Sequence, residues 1–214
     1  MTARWSLALL LWCLPARSVV IDRIAVIVDK HAIKSSDIDR DLRVTAFLNG
    51  QPLNLSIEAK RKAAERLIEQ TVIREEMEKA PYSQSSAGDV DGMIKRILGD
   101  RFGGTAARLA QEMSRYGLTE QQLRLQLQWQ LDVLKFMEER FRRGILVTDQ
   151  DVKDYYNQHQ TELARQYPQA KTYEAMEPKI RASLEGTRLD QDFDQWLTEA
   201  RKRDRILYRQ EAFQ

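Results

Sequence analysis

The spacing of apolar residues along this chain changes period once. Residues 19–28 read VVIDRIAVIV, a β-branched run too short and too rich in Val and Ile to prefer a helix, and a second apolar patch follows at Ala32 and Ile33. With Asp29, Lys30 and His31 between them, they predict a strand and a tight hairpin. From Ser36 onward the rhythm is helical. Ser36 with Asp39 three residues on predicts a capped helix running to about Phe47, where Asn49-Gly50-Gln51-Pro52 breaks it. Residues 56–79 place Ile57, Ala64, Leu67, Ile68, Thr71 and Val72 on one side of a long amphipathic helix that ends before Pro81. Shorter helices are expected at 89–98 and 105–116, set off by Gly99, by Gly103-Gly104 and by Gly117.

Thr119 with Gln122 then forms a capping box, and the helix it opens carries two apolar rows. One holds Leu123, Leu127, Leu131, Leu134, Met137 and Phe141; the other holds Leu125, Trp129, Val133 and Phe136. A helix apolar on this much of its circumference must be covered from more than one side, or leave a patch for a ligand. A third capping box, Thr148 with Asp151, opens a helix holding Val152, Tyr155, Tyr156 and His159, which Pro168 stops. The last helix is expected to start near Pro178, to be weakened at Gly186 and to end at Arg201-Lys202-Arg203. Ile206-Leu207-Tyr208 then reads as a short strand suited to pair with residues 24–28 and tie the two ends of the chain together. The fold class is therefore mainly α, with a small β element made of the N-terminal hairpin and the C-terminal strand.

The first eighteen residues read as a cleavable secretory signal: a basic lead to Arg4, an apolar run over 5–14, and Pro15 with Ala16-Arg17-Ser18 as the break and small residues. The rest, 19–214, reads as one helical domain with an N-terminal part over 19–147 and a C-terminal part over 148–214. Removing residues 1–18 takes Arg4 and Arg17 and no acids, so the charge of +2 falls to zero. A nucleic-acid binder needs a basic excess to displace counterions from phosphates, and none is present. Cys13, the single cysteine, lies in the leader, so the exported form can hold no disulfide. No segment has the roughly 18 consecutive apolar residues of a membrane-spanning helix.

Candidate chemistry is sparse. The two histidines, His31 and His159, sit in no zinc-protease pattern, and no nucleophile elbow or phosphate-binding glycine loop occurs. Thr148-Asp149-Gln150-Asp151 is explained by helix capping rather than by a metal. No catalytic, cofactor-binding or metal-binding residue is assigned. The methionines Met77, Met93, Met113, Met137 and Met176 all fall in helical segments, where their flexible side chains serve either as core filling or as an adaptable apolar surface.

These residues carry a family resemblance. Ala25-Val26-Ile27-Val28, Ile33 and Ser36-Asp37-Ile38 resemble the opening of the SurA family of periplasmic chaperones and its trigger-factor-type peptide-binding domain, with Asp29 where that family commonly has Asn. Leu118-Thr119-Glu120-Gln121-Gln122-Leu123, the ILVTDQDVKDYY segment and the closing stretch 193–208 follow in the family's order. Many relatives insert a parvulin prolyl isomerase domain before the last helix; here 167–178 leaves no room for one, so isomerase activity is not carried over. The resemblance implies a periplasmic, ATP-independent chaperone, not an enzyme and without cofactor, that binds unfolded polypeptides, outer-membrane protein precursors above all. Candidate client-binding residues in its apolar helical cradle are Phe47, Leu48, Met93, Ile97, Phe102, Met113 and Tyr116. The alternative is a non-catalytic envelope module that dimerises or holds one dedicated partner, with strand or helix exchange between two copies as a route to a homodimer.

Overall fold

A computed structural model describes residues 22–170 and 172–213; the expected leader lies outside them, as does the start of the first apolar run at 19–21. Strands β1 (Ile24–Val28) and β2 (His31–Lys34) form the predicted hairpin. Its two-residue turn places Asp29 at φ 48°, the left-handed region that Asp and Asn tolerate better than most residues. Helices α1 (Ser35–Asn49), α2 (Ile57–Met77), α3 (Ala87–Phe102), α4 (Ala106–Arg115), α5 (Glu120–Phe141), α6 (Asp149–Gln166) and α7 (Tyr173–Arg203) follow, then strand β3 (Ile206–Tyr208). β3 returns antiparallel to β1 in the order β2-β1-β3, pairing Val26 with Tyr208 and Val28 with Ile206. The chain ends are thus tied, as the sequence predicts, and the fold is mainly helical with a small antiparallel sheet. Among the described residues no helix is long and apolar enough to cross a membrane.

Three boundaries differ from the sequence reading, each for a local reason. The N-cap of α1 is Lys34, not Ser36, because the Asp37 carboxylate accepts the Lys34 N–H at 3.0 Å and Asp22 takes both the N–H and the hydroxyl of Ser36. Helix α3 runs straight through Gly99 to Phe102 and stops only at Gly103, whose φ of 59° closes it. One interior glycine costs about 1 kcal/mol, which the packing of Phe102 and Ile97 against the Phe47 cluster offsets. Helix α7 starts at Tyr173 with Thr172 as cap, leaving Pro178 in its second turn. Tyr173 packing edge-on against Tyr156 of α6, together with buried Met176, holds that turn despite the hydrogen bond Pro cannot make.

The capping boxes Thr119/Gln122 and Thr148/Asp151 both form as the sequence predicts. Hydrogen bonds from the Thr148 backbone and hydroxyl hold the Asp151 carboxyl at about 2. The core divides into four clusters. The sheet, α1, the start of α2 and the C-terminal turn share one, with Val26, Ile38, Ile68 and Phe213 at its centre. The end of α1, α3, α4 and the start of α5 share a second. The α6–α7 hairpin has its own around Val152, Met176 and Ile180. The fourth joins α2, α5 and α7 through Phe136, which makes edge contacts with Tyr82, Phe141, Phe193 and Trp196 at ring-centroid distances of 4.8–6.5 Å. Arg140 lies against three of these rings while pairing with Glu76 at 2.7 Å, which docks α5 on α2.

Truncating Phe136→Ala is expected to cost about 3–5 kcal/mol in urea unfolding, because a fully buried ring that joins three helices leaves a cavity none of them closes alone. Leu134→Ala on the same helix, 55% exposed, should stay within about 0.5 kcal/mol.

Candidate functional site

The seven residues expected to form an apolar cradle come together in one cluster, two of them buried and five half-buried. Phe47 is fully buried, stacked on Phe102 at 6.2 Å and edge-on to Tyr116 at 5.8 Å. Met113 is buried beside it, and Leu48, Met93, Ile97, Phe102 and Tyr116 are half-buried around the same cluster. Polar clasps lock the group: Arg101 lies over both phenylalanine rings and donates to the Leu48 carbonyl, and the Tyr116 hydroxyl donates to the Gln51 carbonyl at 2.9 Å. Gly117, at φ 65°, leaves room for Arg43, which donates to the Tyr116 carbonyl; a Cβ there would sit 2.9 Å from the guanidinium. Phe47 and Met113, two of the candidate contact residues, are core, because α3 and α4 fold over them.

The open apolar surface arises on α5. At about 100° per residue, Leu123, Leu127 and Leu134 share one face of the helix, and Leu125, Trp129 and Phe136 share the nearly opposite one. The first row is buried at its N-terminal end by α1 and α3 and surfaces at Leu134. The second is buried at its C-terminal end, at Phe136, and surfaces at Leu125, which is 58% exposed. Trp129 stands between, with the Arg74 guanidinium 4.8 Å above its ring. The uncovered end of this second row lines a cleft of about 730 Å³ between α1, α2, α5 and the edge of β2.

The walls of this cleft mix three kinds of group. Leu125, Trp129, Val44, Leu67 and Ile33 supply apolar surface. Gln70, Gln121 and Gln126 each present an amide that both donates and accepts, which suits a peptide backbone of any sequence, while Gln122 beside them accepts the Thr119 N–H in the capping box. Charge lies at the rim and floor, in Asp37, Arg40, Arg74, Glu75 and Glu78, with Asp41 buried against Arg66 of α2. Burial pushes the Asp41 carboxyl up despite the arginine beside it. The two-residue hairpin makes Val28 and His31 a hydrogen-bonded pair, so the N–H and C=O of the next residue, Ala32, point away from β1 at the cleft. The arrangement sets apolar side chains and hydrogen-bonding amides along one open cleft. Comparison of the sequence with protein-family models and with curated proteins finds no match.

In the sequence Leu125 and Trp129 stand out as part of an apolar row needing cover, while the methionines and glycine-flanked helices point to contact residues elsewhere. The signal that finds the cleft is that row itself; the glutamines beside it gain meaning only once α2 is folded opposite α5.

At the back of the cleft, His31 Nε2 lies 3.1 Å from Glu75 Oε1 without the alignment of a hydrogen bond. Glu75, Asp29 and Asp204 bring carboxylate oxygens within 4.8 Å of one another, the one such grouping among the described residues with spacing that suits a cation. Asp29 also joins the chain ends: it donates to the Arg205 carbonyl and accepts the Arg205 N–H, each at 2.9 Å. Burial, then the charges of Asp29 and Glu75, push the Asp204 carboxyl up, against Arg203 and Lys79. A carboxyl whose folded pKa exceeds its ordinary 3.8 weakens the native state as pH rises from 3.8 through the folded value. Asp204→Asn should therefore raise the melting temperature at pH 7, with the gain vanishing below pH 3.8 in thermal scans across that range.

Proposed function

We propose that this chain is a periplasmic, ATP-independent holding chaperone, exported by its N-terminal leader, that binds unfolded polypeptides and outer-membrane protein precursors above all. The observation that carries the reading is the uncovered Leu125–Trp129 end of an apolar row, set among glutamines in a cleft large enough for an extended segment. Apolar contact draws in chain that has not buried its own side chains, and the amides accommodate its backbone without regard to sequence. Release follows when the client folds and removes that surface from competition, so neither nucleotide nor covalent step is needed. The resemblance of the opening strand, the Leu118–Leu123 segment and the ILVTDQDVKDYY segment to the SurA family supports the same reading. Its alternative, a dedicated partner or a homodimer by strand exchange, has a structural cost: β1 is the central strand, so its exchange releases both ladders at once.

The test is light scattering without ATP, using a urea-diluted porin and, separately, an unrelated unfolded enzyme. Suppression of both aggregations is expected at near-stoichiometric ratios. Leu125→Ser, at a position 58% exposed, should raise the concentration required about tenfold, the loss of one contact hot spot, with little change in melting temperature. Serine at Met93, Phe102 and Met113 together should instead lower the melting temperature, because Met113 is core. A folded, monodisperse protein that suppresses neither aggregation overturns the chaperone reading in favour of the dedicated module.

A further inference from the structure

Strand β3 forms an edge of the sheet. The Asp29 N–H donates to the Arg205 carbonyl and the Arg209 N–H to the Ala25 carbonyl, so the antiparallel alternation turns the backbone groups of Arg205, Leu207 and Arg209 toward β1. Those of Ile206 and Tyr208 consequently point outward, and they have no backbone partner among the described residues. Natural sheets cover such an edge or blunt it with proline, a bulge or charge. Here the exposed side chains Leu207 and Tyr208 flank a row of unpaired donors and acceptors. Alongside runs a groove of about 630 Å³ between α2 and α7, lined by Leu197, Thr198 and Ile206 together with two acids, Glu69 and Asp194, and two bases, Arg201 and Lys202, whose charges balance.

Charge decides what can pair there. Arg205 and Arg209, at the two ends of β3, are exposed and have no carboxylate within ion-pair distance among the described residues. Antiparallel pairing with a second copy centred on Leu207 would set Arg205 of each copy opposite Arg209 of the other, at both ends, and like charges directly opposite are destabilising. The same arginines favour a strand whose ends are acidic. We propose that the open edge of β3 accepts an extended segment of another polypeptide as a fourth strand, with alternating apolar residues at its centre and acidic residues at its ends. Backbone hydrogen bonds to Ile206 and Tyr208 hold the segment, and the groove beside Ile206 receives side chains from one of its faces. This edge is separate from the cleft beside α5 and does not depend on holding activity there.

The test uses the purified protein and the acetylated, amidated peptide EDVTVTVDE, read by amide hydrogen exchange. Saturating peptide should slow exchange at Ile206 and Tyr208 about tenfold or more while leaving Leu207, already bonded to β1, unchanged. Arg205→Glu with Arg209→Glu should weaken binding about tenfold, and the lysine-flanked peptide KKVTVTVKK should bind at least as weakly. The Leu125→Ser variant should keep the protection, which separates failure of this edge from failure of the cleft. Peptide that binds without protecting these two amides overturns the proposal, as does equal binding of the lysine-flanked peptide. Protection that rises with protein concentration in the absence of peptide would overturn it in favour of a second copy.

Discussion

Helix α5 cannot be buried by any one neighbour. Its two apolar rows lie on nearly opposite faces, so whatever covers Leu123 and Leu127 leaves Phe136 uncovered, and the reverse. The chain resolves this by closing over each end separately. Helices α1, α3 and α4 cover the first row near its start, and α2 with α7 cover the second near its finish. The first row surfaces at Leu134, before Met137 and Phe141 join the α2–α7 cluster, and the second surfaces at Leu125. The cleft follows from this division. It is the space between two lobes that grip one helix from opposite sides, and its apolar wall is the part of the second row that neither lobe covers.

The remaining architecture keeps those lobes in register. Strand β1 lies at the centre of the sheet and is held on both sides, by β2 next in sequence and by β3 from the far end of the chain. Asp29 sits where the three meet, in a left-handed turn, bonded through its backbone and its side chain to Arg205. The nearby carboxylates of Glu75 and Asp204 oppose this closure with like charge, partly offset by Lys79 and Arg203. Because β1 is central and β2 and β3 are short, the small sheet has two edges. One borders the cleft at Ala32; the other borders the groove between α2 and α7 at Ile206.

Much of the fold is legible in the sequence because the signals are local. The Thr119 and Thr148 capping boxes, the left-handed Gly103 and Gly117, and the β-branched run that becomes β1 each specify their own element. The misses occur where a tertiary contact outweighs a local one. Gly99 reads as a break, yet packing of Phe102 carries α3 past it; Pro178 reads as a start, yet Tyr173 and Met176 extend α7 ahead of it. The candidate site follows the same division. The two rows of α5 announce that some apolar surface must stay open, but which end remains open depends on where α2 and α7 dock, and that lies in long-range packing. Met93 and Met113 read as adaptable from their glycine-flanked helices, whereas folding α3 and α4 against Phe47 buries Met113 and half-buries Met93.

The central claim is that one face of α5, and not exposed apolar surface in general, receives polypeptide. Leu125 and Leu134 provide the comparison: they are 58% and 55% exposed on the same helix but on nearly opposite faces. A photo-crosslinking amino acid placed at each position in turn, in the presence of a urea-diluted porin, reads the claim directly. The account predicts abundant crosslinks to the client from position 125 and few from position 134. Equal yields from both positions, or yields from 134 alone, would contradict it.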